Sequence, residues 1–309
     1  MRILSLVTSD NANFYRQQTR QLENRGHTLD TVSVSGTNVE NGAQTERRPM
    51  SAYISYYATA LTSSINNYDL VHANYGLSGP PALLQPCHPV VITFWGSDVT
   101  GSISQLSQIC ARYADAVVVM SDEMADLLNV DCYVVPHGVD LEQFRPVPQS
   151  QAREKVEWNS DAYQVLFPYG PAREVKDFPR AQRIVERARS RLEQPVELRT
   201  MSGVPHDHVH WYMNAADALI LTSKREGSPN TVKEALACNL PVIATDVGDV
   251  SDRLDDVTYS TASSDNDVLV EALSDTLRAS ERSNGREVVA DLGVENQITK
   301  IEAVYESVV

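Results

Sequence analysis

Residues 223–245, Ser-Lys-Arg-Glu-Gly-Ser-Pro-Asn-Thr-Val-Lys-Glu-Ala-Leu-Ala-Cys-Asn-Leu-Pro-Val-Ile-Ala-Thr, carry a loop, a helix and a strand in one short run. Ser228 reads as an N-cap with Pro229 at the first helical position, where a missing N–H costs nothing. Val232, Ala235 and Leu236 then follow at helical spacing. The spacing predicts a helix over 229–238 and a strand over 242–245. Free amides and the positive dipole end of such a helix favour an anion, and Gly227, lacking a Cβ, lets backbone approach a ligand. Glu226 stands just before the helix and Glu234 inside it. Carboxylates accept hydrogen bonds from vicinal hydroxyls, so the pair suits a sugar ring at one end and a ribose at the other.

Outward from this segment, β-like apolar runs alternate with helix-like runs, the pattern of parallel sheets covered by helices on both faces. Strands are expected at 3–7, 29–34, 70–72, 90–94, 117–120 and 133–135, then at 165–167, 196–198, 218–221 and 242–245. Helices are expected at 179–191, 209–216 and 229–238. Tyr53, Ile54, Tyr57 and Leu61 form a core-facing helical stripe, and the polar residues 260–267 read as a loop. At 309 residues and 42% hydrophobic content, the chain suits two cores rather than one. The proline-bearing stretch 145–150 is the best linker. The expected division is 1–146, 147–292 and a closing helical segment within 293–309.

The net charge is -15, with only five lysines among 26 basic residues, and both halves of the chain are acidic. Such a surface repels phosphate backbones, so nucleic acid is not an expected partner. Acid-rich, lysine-poor composition resembles proteins of halophilic archaea, with an ordinary acidic cytosolic enzyme as the competing explanation. No apolar run approaches the length of a membrane span, and the first residues lack a signal-peptide pattern. The expected location is the cytoplasm, with peripheral contact at the inner membrane face left open. Cys87, Cys110, Cys132 and Cys238 are widely spaced without a Cys-x-x-Cys pair, which favours buried reduced thiols.

The segment around Glu226 and Glu234 resembles the Glu-x7-Glu region of the family 4 glycosyltransferases, retaining enzymes of the GT-B fold. The likeness continues through residues 241–248. It is supported by Arg25-Gly-His-Thr28, by 69–76 with His72 and Gly76, by 115–124, and by Pro136-His-Gly-Val-Asp140. The resemblance implies an α/β protein with two Rossmann-like domains facing each other across a cleft. The first would lie on the acceptor side and the second would bind a nucleotide sugar, and the last helix would pack back on the first. It implies transfer of a sugar from a nucleoside-diphosphate sugar to a hydroxyl of a glycan, a lipid-linked saccharide or a small molecule. Glu226 would hold hydroxyls of the transferred sugar and Glu234 the ribose diol. Gly227, Ser228, Pro229, Asn230 and Thr231 would present backbone to the sugar and phosphates. Arg173 and Lys176 would neutralise the diphosphate. The nucleotide sugar is a co-substrate, and neither a metal nor another cofactor is expected.

This chain departs from the family pattern in several places. Only two residues, Glu174 and Val175, lie between Arg173 and Lys176 where the usual form has five. Where a histidine commonly follows the strand at 91–94, this chain has Trp95, which can stack on a sugar but cannot take a proton. Asp98 becomes the nearest polar candidate, with a helix-capping role as its alternative. Paired glycines after the first strand are replaced by residues 8–12, which include Ser9. His137 stands where Asn is usual, and Gly138 is expected to make a turn. His72 is placed at a strand end, as core residue or as substrate contact. His206, His208 and His210 alternate as metal ligands might on a strand, but their neighbours point to a helix. Two other functions fit the same architecture: a sugar-nucleotide epimerase, or a non-catalytic nucleotide-sugar-binding protein. A dinucleotide oxidoreductase is disfavoured, because no Gly-x-Gly-x-x-Gly follows the first strand.

Overall fold

The computed structural model describes residues 1–36 and 48–309, which form two compact units. The first contains Met1–Gly138 and Val294–Val309, and the second Val139–Gly293.

In the first unit six parallel strands run β1 (Arg2–Val7), β2 (Thr28–Ser33), β3 (Leu70–Asn74), β4 (Val90–Thr93), β5 (Ala116–Val119) and β6 (Tyr133–Val134), in the spatial order β2-β1-β3-β4-β5-β6. Every residue of β3, β4 and β5 is buried, as expected of parallel strands covered on both faces. The second unit holds β7 (Tyr163–Phe167), β8 (Val196–Thr200), β9 (Ala218–Leu221), β10 (Val242–Ala244) and β11 (Thr261–Ala262), ordered β11-β10-β9-β7-β8. Strand order reverses at β1/β3 in one unit and at β7/β9 in the other. Open α/β sheets bind ligands beyond the carboxyl ends of their strands at such reversals.

The closing helix, Val294–Val308, belongs to the first unit. It buries Ile298, Ile301, Val304 and Tyr305, and fully burying an aromatic or large aliphatic side chain is worth roughly 1.5–3 kcal/mol. Arg25 holds its outer face through Glu295 at 2.8 Å and Glu302 at 2.6 Å. Gly138 is required here because a Cβ would lie 2.4 Å from Val294 Cα. Its role is close approach to this helix rather than the expected turn.

Several local expectations are corrected. The helix Met50–Ser63 packs Tyr53 and Tyr57 against the first core as expected and buries Tyr56 and Ala60, but exposes Ile54 at 66%. This helix is apolar on most sides, so the hydrophobic pattern does not select a face. The hydroxyls do, Tyr56 bonding Ser78 Oγ at 2.9 Å and Tyr57 the Leu77 carbonyl at 3.0 Å. Within 260–267 the chain forms β11 instead of an uninterrupted loop, paired to β10 through Ile243 and Ala244. The units part at Gly138, ahead of the proline-bearing stretch. Val139 pairs with the Leu292 carbonyl, and Arg286 binds the carbonyls of Leu141 and Phe144, so these residues belong to the second unit. All four cysteines are free thiols, but only Cys110 and Cys238 are buried and Cys87 is exposed.

Candidate active site

Candidate residues of the second unit converge at the carboxyl ends of β7 and β9, the strands flanking the reversal. The loop after β7 carries Tyr169, Arg173 and Lys176, and the loop after β9 carries Ser223 to Pro229. Thr222 Oγ1 donates to the carbonyl of Lys176 at 3.0 Å, and Lys224 N donates to that of Val175 at 2.8 Å, which lashes the two loops together.

Lys176 Nζ reaches Glu226 Oε1 at 2.5 Å, with side chains only 7% and 13% exposed. The Ser223 hydroxyl donates to the same oxygen at 2.5 Å. Burial holds the Lys176 ammonium below the usual lysine range, and the Glu226 carboxylate opposes that shift. Lys176 Nζ also lies 4.0 Å above the Tyr169 ring, and the Arg173 guanidinium carbon 5.2 Å from it. Tyr169 Oη meets Thr231 Oγ1 at 2.9 Å. Burial pushes the Tyr169 hydroxyl well above its ordinary range, so it stays protonated.

The helix begins at Asn230, one residue later than the sequence suggests, and runs to Ala237. Ser228 does not cap it. Its hydroxyl donates instead to Asp249 Oδ2 at 2.7 Å and lies 3.3 Å from Lys233 Nζ. Arg253 Nε joins Asp249 at 2.9 Å. A buried carboxylate with two cations nearby outbids the helix amides for a hydroxyl. Asp249 N donates to the Gly227 carbonyl at 3.1 Å, and Gly248, at φ +58°, passes so close that a Cβ would lie 2.3 Å from that oxygen. The loop after β10 thus presses the 226–229 backbone into place. The Asn230 Oδ1 atom is buried without a hydrogen-bond partner among the described residues, so the helix tip retains unspent polar capacity.

Glu234 is buried in the second turn and accepts from His206 Nε2 at 3.0 Å. That hydrogen bond raises the imidazole pKa above its usual value, against the pull of burial. His206 also packs edge-on against Phe144, with ring centroids 5.4 Å apart. The alternating histidines therefore do different things: His206 pairs with Glu234, His208 is exposed, and His210 packs on Trp211. Among the described residues no three His, Cys, Asp or Glu side chains gather to hold a metal ion.

Ser9 follows β1, Trp95 and Asp98 follow β4 and His137 follows β6, whereas His72 lies in the middle of β3 rather than at a strand end, and these residues do not form a reactive set. Asp98 is fully buried, and its carboxylate accepts from Trp95 N at 2.9 Å, Gly96 N at 2.9 Å and Gly76 N at 3.1 Å. Burial raises its pKa to about 6 against the opposing pull of those amides. The geometry is that of a capping group clamping the loops after β3 and β4. Both nitrogens of His72 are used, Nε2 with Thr93 Oγ1 and Nδ1 with Tyr305 Oη, each at 2.7 Å, and burial lowers its pKa to about 3. It pins the closing helix. Trp95 is half-buried in an aromatic cluster, with Phe14 at 4.5 Å and His137 at 6.2 Å, and Phe14 also meets His137 at 4.4 Å. Trp95 Nε1 and Ser9 Oγ are buried without a hydrogen-bond partner among the described residues. Tyr75, beside Trp95, holds φ +82°, a strained value of the kind that clusters at functional sites.

Sequence reading passed over Tyr169, Lys233 and Asp249. Lys233 had a usable signal, since a lysine within the apolar run 232–237 of a lysine-poor chain calls for a buried partner.

Two parallel α/β sheets, each with a strand-order reversal and flanking helices, define a GT-B architecture. Residues 12–143 match the family described as Glycosyltransferase Family 4, and residues 166–279 match the one described as Glycosyl transferases group 1. The chain belongs to the family 4 glycosyltransferases. It is 29% identical over 212 residues to the putative teichuronic acid biosynthesis glycosyltransferase TuaC of Bacillus subtilis, a match covering 59% of this chain and 54% of that protein. It thus spans little more than half of that relative. The solved sucrose-phosphate synthase of Thermosynechococcus elongatus superimposes with a TM-score of 0.82 at 18% identity, covering 99% of this chain and 98% of the other. Anabaena HepE, solved in complex with UDP-glucose, gives 0.70 at 15% identity, covering 99% and 100%. At those identities the structural likeness speaks to the fold alone. Among the described residues no helix is long and apolar enough to cross a membrane.

Proposed function

We propose that the chain is a retaining glycosyltransferase that moves a sugar from a nucleoside diphosphate to an acceptor hydroxyl without a metal ion. The observation that carries this reading is the buried Lys176–Glu226 pair at 2.5 Å, beside the amino end of helix Asn230–Ala237. A departing nucleoside diphosphate gains negative charge as the glycosidic bond breaks. Lys176, Arg173 and the helix-tip amides supply positive charge where that happens. Glu226 accepts hydroxyls of the transferred sugar, Glu234 accepts the ribose diol, and the backbone of Gly227 to Thr231 faces the sugar and phosphates. On donor binding Lys176 shares its ammonium between Glu226 and a phosphate oxygen, while the Ser223 hydroxyl keeps Glu226 oriented.

No side-chain nucleophile is assigned. In a same-face displacement the C–O bond to the diphosphate breaks as the acceptor oxygen bonds to the same carbon on the same face. A donor phosphate oxygen takes the acceptor proton, and the rate rests on positioning and charge stabilisation. Asp98, committed to three amides, holds Trp95 and its loop rather than carrying a proton. The TuaC relative is named as a putative teichuronic acid biosynthesis glycosyltransferase, which supports a glycan or glycan precursor as acceptor.

The test is a thermal-shift panel of UDP-, GDP- and ADP-sugars, followed by NMR of the best binder with EDTA present. The expected result is slow hydrolysis that releases the sugar first in the donor's own anomeric form. Conversion of the donor into another nucleotide sugar would instead identify an epimerase. Binding with neither hydrolysis nor transfer to any acceptor would identify a binding protein. Activity abolished by EDTA and restored by a divalent ion would overturn the metal-independent part.

A further inference from the structure

Tyr169 touches both cations of the loop after β7 and the first turn of helix Asn230–Ala237. Its ring lies under Lys176 Nζ at 4.0 Å and beside the Arg173 guanidinium at 5.2 Å, and its hydroxyl meets Thr231 in the first turn of helix Asn230–Ala237. Two cations at one ring repel each other, and Arg173 contributes to lowering the Lys176 pKa. The negative face of an aromatic ring offsets part of that repulsion and fixes where the charges sit. Phe167, at the end of β7, packs edge-on with the ring, with centroids 5.9 Å apart. A helix tip is positive on its own account, so the Tyr169–Thr231 bond fixes the spacing between two sources of positive potential.

We propose that Tyr169 is a positioning residue for donor recognition. Its ring sets the Lys176 and Arg173 cations at the spacing a diphosphate bridges, and its hydroxyl ties them to the helix tip. This rests on the reading of the site as a diphosphate site. Tyr169 itself touches no reacting atom.

The experiment is calorimetry on the full chain with UDP, GDP and ADP, their nucleosides, and inorganic pyrophosphate. Tyr169→Leu should weaken the preferred nucleoside diphosphate by about tenfold or more, as expected for a desolvated cation–π contact, while its nucleoside changes by less than about twofold. Tyr169→Phe keeps the ring and should stay within about threefold of wild type. Thr231→Val should show the same small loss, and the double variant should be no worse than either single one. Phenylalanines of increasing fluorination at position 169 preserve shape while draining charge from the ring face. They should weaken diphosphate binding stepwise, a readout that survives even if Tyr169→Leu fails to fold. A flat fluorination series, or equal losses for nucleoside and diphosphate, would overturn the assignment while leaving the transferase reading intact. A wild-type chain that binds none of the diphosphates would overturn both.

Discussion

Lys176→Ala tests stability and recognition at once, and the two effects can be separated. Removing one partner of a buried ion pair strands the other charge, at a general cost of about 3–5 kcal/mol. Here the Ser223 hydroxyl remains 2.5 Å from the stranded Glu226 oxygen. A hydrogen bond to a charged group is worth about 1.5–3 kcal/mol, so we expect a net loss of roughly 1.5–2 kcal/mol. The double variant Lys176→Met, Glu226→Gln removes both charges and should recover most of it in urea titrations followed by circular dichroism. Recognition is a different quantity. If Lys176 donates a charge-assisted hydrogen bond to a phosphate, its loss should weaken nucleoside diphosphate binding by roughly 10- to 150-fold, the same 1.5–3 kcal/mol expressed as an equilibrium constant. The matching nucleoside offers no phosphate and should lose less than about threefold. Calorimetry on the folded variant decides the matter. Parallel losses for nucleoside and diphosphate would mean that Lys176 acts only through folding, and unchanged diphosphate affinity would remove it from the site.

Three further expectations follow from the geometry. The His206 imidazole, its pKa raised by its bond to Glu234, adds stability that is fully present below pH 6.5 and fades as pH rises through the higher folded value. An NMR titration should show its pKa falling back in Glu234→Gln, and an unmoved value would deny the coupling. His72 is held neutral down to about 3, so between that pH and 6.5 the unfolded chain binds the extra proton and stability falls as pH falls. At about 1.36 kcal/mol per pH unit this is on the order of 4–5 kcal/mol across the window, and acid unfolding of His72→Gln should lack that slope. Gly248→Ala would set a Cβ 2.3 Å from the Gly227 carbonyl at a positive φ. It should destabilise by at least about 1–3 kcal/mol and shift the 226–229 loop, read as weakened binding of UDP, GDP or ADP, and full retention of both would refute the clamp.

Local signals account for what was legible. Alternating apolar runs located β1 to β10 to within a few residues, because buried parallel strands are apolar on both faces and stand out from their helices, whereas the short polar β11 was read as loop. Glu226 and the helix tip were readable as candidates because a loop glycine and a proline at a helix start are visible in single segments, whereas Lys176 was a candidate only through the family resemblance. The misplaced features depend on competition between distant groups. Ser228 has a capping residue's chemistry, but Asp249 takes its hydroxyl. For Asp98 the sequence left an active-site role and a capping role open, and the Gly76 amide from another loop, with its neighbours Trp95 and Gly96, takes up its carboxylate. His206 stands where the sequence points to a helix rather than a metal site, but only the fold brings it to Glu234.

The chain's own order of residues determined its elements and the family to which it belongs, since periodicity, turn chemistry and motif spacing are properties of short windows. Tertiary structure alone decided which charges meet. Lys176 and Glu226 are 50 positions apart and come together because β7 and β9 are neighbours while β8 lies at the edge of the sheet. Tyr169 reaches Thr231 for the same reason, and Tyr305 reaches His72 across 233 positions because the last helix returns to the first sheet. Desolvation gives each of these contacts its strength, and burial is a property of the packed chain that no short stretch of sequence carries.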